Sequence, residues 1–297
     1  MTPRRFCLTL SLVPGIGPTR TLRILTRNHV TGRTPAQFFR LTSEVLQEEY
    51  RLPKSVAEVI TAQGKSLEER AEELDQRLQA LGVSMVALTD AGYPPSVENA
   101  HPEAPPLLFL YGNTRLLHAK TFGVFCSNDH RSHTLDWIER LTEAGVLDGE
   151  ICVSGHDRIE YQRAAVVPLR WGAPRILVLD RGMFEALGPE LKEEPFRAAR
   201  LWRYEFDPRT DLVVSPFAPH HGFIGQNNRM RDFLAAALCR RADFVAVRPG
   251  GTMEKVARMM LQADRPIRVA DHEELLGSGA SALVIDAAWR QPDLGNF

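Results

Sequence analysis

The chain has 297 residues, a formal net charge of −1, 44% hydrophobic and 25% charged residues, ordinary values for a globular protein with material for one large or two smaller domains. No apolar run approaches the roughly 18 residues a membrane span needs, and the N-terminus lacks a signal-peptide core and cleavage site; a cytoplasmic protein with no membrane partner is expected. The scattered cysteines Cys7, Cys126, Cys152 and Cys239 form no C-x-x-C pair and read as reduced structural thiols.

Residues 1–81 read as an all-helical domain, with helices predicted at Phe6–Leu12, Pro18–Thr26, Pro35–Leu41, Ser43–Tyr50, Lys54–Ala62 and Ser66–Leu81. From Met1 to Arg40 there are seven Arg and no acidic residue, whereas Glu44 to Gln79 holds nine acids against five bases. Between the first two helices lies Val13-Pro14-Gly15-Ile16-Gly17-Pro18. Gly15 and Gly17 permit a tight turn whose amides face a phosphate. With Arg20, Arg23 and Arg27 around it, the turn resembles a helix-hairpin-helix element, though a plain helical turn has the same pattern.

From Gly82 the pattern changes. Val83–Leu88 reads as a strand, and prolines near Tyr93-Pro94 and Pro105-Pro106 disfavour helix. Short apolar runs then recur at Phe122–Phe125, Ile151–Ser154, Ile176–Leu179, Leu212–Ser215, Phe244–Val247 and Ile267–Val269. Helical stretches at His133–Glu143, Ile159–Val167, Asn228–Cys239 and Met253–Ala263 separate most of them. That alternation predicts an α/β, mostly parallel sheet with flanking crossover helices. Ligands on such sheets gather beyond the carboxyl strand ends, here Ser127-Asn128, Ser154-Gly155, Asp180-Arg181-Gly182 and Pro249-Gly250-Gly251-Thr252. The charged segment Met183–Pro208 reads as a surface insertion.

Gly225–Arg268 holds nine Arg/Lys against four Asp/Glu, which points to a phosphate site. There Asn228 and Arg229 open a helix. Gly250, Gly251 and Thr252 follow a strand, with Lys255 one turn on. The Gly-Gly-Thr turn fits an anion nest or, equally, a Thr helix cap.

The order of these pieces resembles the DNA-processing protein A (DprA/Smf) family. Pro14-Gly15-Ile16-Gly17 is similar to its P-G-I-G. Tyr93-Pro94, Pro105-Pro106-Leu107-Leu108-Phe109 and Gly112-Asn113 are similar to its Y-P … P-P-x-L-F … G-N linker. Val153-Ser154-Gly155 matches its S-G, and Asn228-Arg229 with Leu234-Ala235 its R-N-R-I-I-x-x-L-A segment. Cys126-Ser127-Asn128 stands where the family has G-S-R, Asn227 replaces the leading Arg of R-N-R, and the G-I-D segment is absent from His156–Tyr161. The resemblance implies an extended Rossmann-like domain over residues 82–275, after the helical domain, and a 276–297 tail too short for the winged helix many members carry. It also implies non-catalytic binding of single-stranded DNA, strand protection and loading of RecA recombinase during transformation, and a homodimer. Arg229 would meet a backbone phosphate, and Asn228 a phosphate, sugar or base edge. Ser154 and Gly155 would give a hydroxyl and a close-approach amide, beside Ser127, Asn128 and the Gly250–Thr252 turn with Lys255.

Two other readings stay open. Arg248–Glu254 is similar to the P-G-G-x-G-T-x-x-E signature of LOG-type nucleoside-monophosphate phosphoribohydrolases, but lacks the x-G before Thr252 and places Glu254 one residue short. A nucleotide-sensing domain of the same superfold is the other. No P-loop and no G-x-S-x-G elbow is present, and no cofactor is expected. His130, His133, His220 and His221 read as surface or loop histidines without the further ligands zinc requires. Trp171, Trp202, Tyr204 and Phe223 are expected near loops on the ligand side.

Overall fold

The computed structural model describes residues 1–128, 132–270 and 272–284. The first helix, α1 (Pro3–Ser11), is capped by the Thr2 hydroxyl, which accepts from the Arg5 amide. Its partner α2 (Pro18–Thr31) ends on Gly32 in the left-handed region that glycine tolerates. The short helices α3 (Pro35–Phe38) and α4 (Ser43–Glu48) carry Thr34 and Thr42 caps. Then α5 (Lys54–Ala80) runs unbroken for 27 residues, about 40 Å, through the Gly64 region where two separate helices are expected. An isolated glycine costs only about 1 kcal/mol in a helix. Here a Cβ on Gly64 would meet Phe39 no closer than 3.8 Å, an ordinary contact, so no close approach demands the glycine.

Packing explains why the long helix pays off structurally. Its first half (Val56, Ala57, Ile60, Leu67) joins Phe6, Ile24, Phe38 and Leu46 in a core belonging to the helical part. Its second half (Ala71, Leu74, Leu78), together with Cys7 and Leu8 of α1, lies on the sheet against Leu107, Phe109 and Val213. One helix therefore serves two cores.

The sheet begins with β1 (Val83–Ala87), followed by α6 (Pro95–Ala100), β2 (Leu107–Gly112), β3 (Thr121–Cys126), α7 (Ser132–Leu147), β4 (Ile151–Gly155), α8 (Ile159–Arg170) and β5 (Arg175–Val178). Next come α9 (Met183–Leu187), β6 (Leu212–Ser215), α10 (Asn227–Leu238), β7 (Arg241–Ala246), α11 (Thr252–Gln262), β8 (Ile267–Val269), α12 (Glu273–Gly277) and β9 (Ser281–Ala282). Among the described residues the nine strands order as β1-β2-β6-β5-β4-β3-β7-β8-β9. The β1–β2 and β2–β6 pairs are antiparallel and the others parallel. This is the expected mostly parallel α/β sheet. The position expected to end its domain, 275/276, falls inside α12, and β9 still pairs with β8.

Alternate residues of the strands feed opposite layers, the two-residue period of an extended chain. Leu108, Leu110, Phe125 and Phe244 pack with α10 and α11. On the other face, Phe122, Val124 and Val245 pack with α7 and α8. The segment 183–208 is not a loose surface insertion. Its Met183, Leu187, Leu191, Phe196 and Phe206 are buried on the sheet beside α1 and α5. Arg175, fully buried, locks it by donating to Glu194 at 2.6 Å and Asp211 at 2.9 Å. The apolar spacing was present in the sequence, but its charges and proline masked it.

All four cysteines are buried thiols, and none is in a disulfide. Burial pushes Cys7 and Cys152 up to about 12. No helix among the described residues is long and apolar enough to cross a membrane.

Candidate nucleic-acid interface

The chain lays down β3, moves outward through β4, β5 and β6, then returns to place β7 on the other side of β3. Strand order therefore reverses between β3 and β7, and the diverging connections leave a crevice beyond their carboxyl ends. The β3–β7 register also shifts between Phe125 and Cys126, an irregularity that re-aims strand ends. Ser127 and Arg248 follow directly, joined where the Arg248 amide donates to the Ser127 hydroxyl at 2.9 Å.

A cleft of about 1120 Å³ occupies this crevice, and the α1–α2 turn forms its opposite wall. Gly15 sits there at φ +86°, which disfavours any side chain, and its carbonyl accepts from Arg20. The Thr19 hydroxyl donates to Glu103 at 3.1 Å, tying the turn to the loop after α6. Four helices present their N-terminal ends to the cleft: α2 through Gly17, α8 through Arg158, α10 through Gln226 and α11 through Gly251. None of the four has a side-chain cap. Their first-turn amides bring partial positive charge to one place. Arg23, Arg229 and Arg248 line the same space, and among the described residues none of their guanidinium groups has an ion-pair partner. Arg229 rests over the Phe233 ring at 5.5 Å. His101, on the cleft wall, is pushed down to about 4 by burial and adds no charge at neutral pH.

Behind the cleft floor lies a buried polar network. Arg231 is fully buried. It donates to Asp232 from Nε at 3.0 Å and Nη2 at 2.9 Å, and from Nη1 to Asp180 at 3.1 Å, the His156 carbonyl at 2.6 Å and Asn228 Oδ1 at 2.9 Å. Its guanidinium also faces the Tyr161 ring at 4.9 Å, while the Tyr161 hydroxyl donates to Asp232 at 2.7 Å. Asp180, the second residue beyond β5, further meets His156 Nδ1 at 3.1 Å and Arg181 Nε at 2.8 Å. A buried Arg flanked by two carboxylates is stable only as a complete set, because losing one partner strands a charge.

Burial alone would raise the Asp180 carboxyl, but hydrogen bonds from His156 and Arg181 outweigh it and hold it below the usual carboxylate range. A carboxylate depressed in the folded state stabilises above its unfolded value near about 4, and that contribution disappears as pH falls through the folded value. Denaturant unfolding should therefore show a smaller stability loss between about pH 5 and about pH 2 for Asp180→Asn than for the parent. Equal losses would place the acid sensitivity elsewhere.

The structure gathers Gly15, Gly17, Ser127, Asn128, Asn228, Arg229, Gly251 and Thr252 at the cleft. It does not bring Ser154 and Gly155 there. Both are buried, and a Cβ on Gly155 would lie 2.6 Å from the Tyr161 ring and 2.9 Å from Arg231. That glycine serves close packing. The Gly250 turn is also not an open anion nest, since the Gly250 amide donates to Glu254 Oε2 at 2.6 Å. The Gly250 amide and Arg258 together hold the Glu254 carboxyl below its ordinary range. Nor is Thr252 the helix cap; Gly251 holds that position. Lys255 is exposed and does not line the cleft.

Arg158 and Arg248 escaped sequence reasoning as cleft residues. The signal was available, since each follows closely on a parallel strand's carboxyl end. Phe223 is exposed beside the cleft residue Ile224 and stacks on Arg181 at 5.1 Å. Trp171, by contrast, follows the carboxyl end of α8, the opposite end from Arg158, and Trp202 packs on Arg170 there at 5.1 Å; neither is on the ligand side. His133 is exposed and touches Trp137, His221 stacks on Phe217, and His130 lies outside the described residues.

No family model and no curated protein matches this sequence. Solved structures do. DNA processing protein A from Streptococcus pneumoniae aligns with a TM-score of 0.66 at 17% identity, over 95% of this chain and 95% of that one. The fold is that of DNA processing protein A. The Helicobacter pylori protein of that name, solved for its single-stranded DNA binding mode, aligns at TM-score 0.54 and 14% identity, over 69% of this chain and 91% of that one. The near-complete match to the Streptococcus structure covers both the helical part and the sheet of the DNA-processing-protein-A fold.

Proposed function

We propose that this chain is a divergent member of the DNA-processing protein A family that binds single-stranded DNA in the cleft without chemistry. The observation that carries the reading is the set of guanidinium groups, Arg23, Arg229 and Arg248, that have no ion-pair partner among the described residues and line the cleft at the strand-order reversal of that fold. Glu254 supports the non-catalytic part: its two oxygens are taken by the Gly250 amide and by Arg258 at 2.8 Å, so it is not poised as the acid or base a phosphoribohydrolase needs. By the same resemblance the protein protects the strand, hands it to a RecA-type recombinase, and acts as a cytoplasmic homodimer.

A salt-titrated comparison of single strands, duplex and nucleotides tests this. Single strands should bind best and weaken steeply with salt, because each neutralised phosphate releases counterions. Arg229→Ala and Arg248→Ala should each weaken binding and flatten the log–log salt slope by about 0.7. Lys255→Ala should leave both unchanged. Nucleotide binding without strand binding would favour the nucleotide-sensing reading.

A further inference from the structure

The loop leading into α10 carries two exposed apolar side chains between glycines. Within Gly222-Phe223-Ile224-Gly225, Phe223 is 46% and Ile224 51% exposed, and Ile224 lines the cleft. The loop is fastened on both sides. The Gly182 amide, soon after β5, donates to the His221 carbonyl at 2.8 Å, and the Asn227 amide of α10 donates to the Ile224 carbonyl at 2.8 Å. A Cβ on Gly182 would lie 2.2 Å from the Ala218 carbonyl oxygen, so the glycine lets the two segments meet.

The Phe223 ring is backed from one side. Arg181 stands over it, 5.1 Å from the centroid. Arg181 is itself held by Asp180 at 2.8 Å and by Asp157 at 2.7 Å. Asp157 sits at φ +76°, a conformation that residues other than glycine seldom adopt and that the surrounding structure must enforce. The strained backbone ends in a carboxylate, the carboxylate fixes a guanidinium, and the guanidinium backs the ring. With this arginine in place nearly half of Phe223 still faces solvent.

We infer that Phe223 is a stacking platform for one nucleobase of a bound strand, with Asp157 and Arg181 as its positioning residues. Every base has a π-face, so a ring at the rim of the cleft adds affinity without reading sequence. Held by a cation–π contact, the ring loses little further rotamer freedom when a base stacks on it. The inference deepens the strand-binding reading and rests on it.

Fluorescence anisotropy can compare a thymidine oligonucleotide with an abasic phosphodiester strand of the same length and label. The parent should prefer the base-bearing strand, and Phe223→Ala should shrink that preference about fivefold or more while leaving the abasic affinity unchanged. Phe223→Trp keeps a π-face and should retain the preference, with its added indole emission quenched by the thymidine strand. Asn tolerates the left-handed region, so Asp157→Asn should keep the unfolding midpoint. It removes a negative charge near the strand, and electrostatics alone would tighten both complexes. The base preference should nevertheless fall about twofold or more. An unchanged preference in Phe223→Ala overturns the platform and leaves strand binding standing; an unchanged one in Asp157→Asn overturns the positioning role. If the parent binds neither strand, the strand-binding reading falls and the platform with it.

Discussion

Arg231→Met is expected to destabilise the fold by about 3–5 kcal/mol and to abolish cleft binding. The side chain is fully buried, and five hydrogen bonds leave its guanidinium. A methionine fills similar space but leaves buried Asp232 without its cation and Asp180 with Arg181 alone, beside a Tyr161 ring that has lost its partner. It also releases the Asn228 amide, so the cleft loses a fixed donor. Urea unfolding would report the first effect and strand titration the second. Adding Asp232→Asn should restore part of the stability, because removing the second charge removes part of the stranded cost. A double variant less stable than Arg231→Met would count against this account.

Removing residues 1–80 is expected to be still more damaging. Independence of the α/β part is the simple expectation, since every strand lies after residue 82. The packing argues otherwise. Cys7 and Leu8 of α1 and Ala71, Leu74 and Leu78 of α5 cover Leu107, Phe109 and Val213. Truncation would bare a contiguous apolar face of the kind that drives association, more than a few hundred Å². The shortened chain should elute as aggregate in gel filtration and lose its cooperative thermal transition. A monomeric, cooperatively unfolding fragment would show that the two cores are separable.

The crossover helices and most parallel strands were legible because their periodicity is strong and their ends carry Gly, Asn or Ser. Strand β2 was not: Leu107–Tyr111 is buried on both faces, so it lacks alternation, and its flanking prolines suggest a linker. Continuity of α5 depended on the second core, which local sequence does not announce. At the site, Asn228, Arg229, Ser127 and Asn128 were readable as strand-end and helix-start residues. Ser154 and Gly155 occupy an equivalent strand end, yet Tyr161 and Arg231 seal it. Which strand ends stay open is decided by side chains arriving from distant helices. Arg231 itself was visible only as one more positive charge.

The two walls of the cleft come from opposite regions of the chain, Ser11–Arg23 on one side and Phe217–Met253 on the other. A ribosome emits the second wall roughly 230 residues after the first, on the order of tens of seconds later at ordinary elongation rates. Through that interval the turn is joined only by His101–Glu103, Ser127, Asn128 and Arg158, and the cleft stays incomplete. A prematurely ended product therefore carries only part of the cleft. The cleft closes only when the last of its lining is made, late in synthesis.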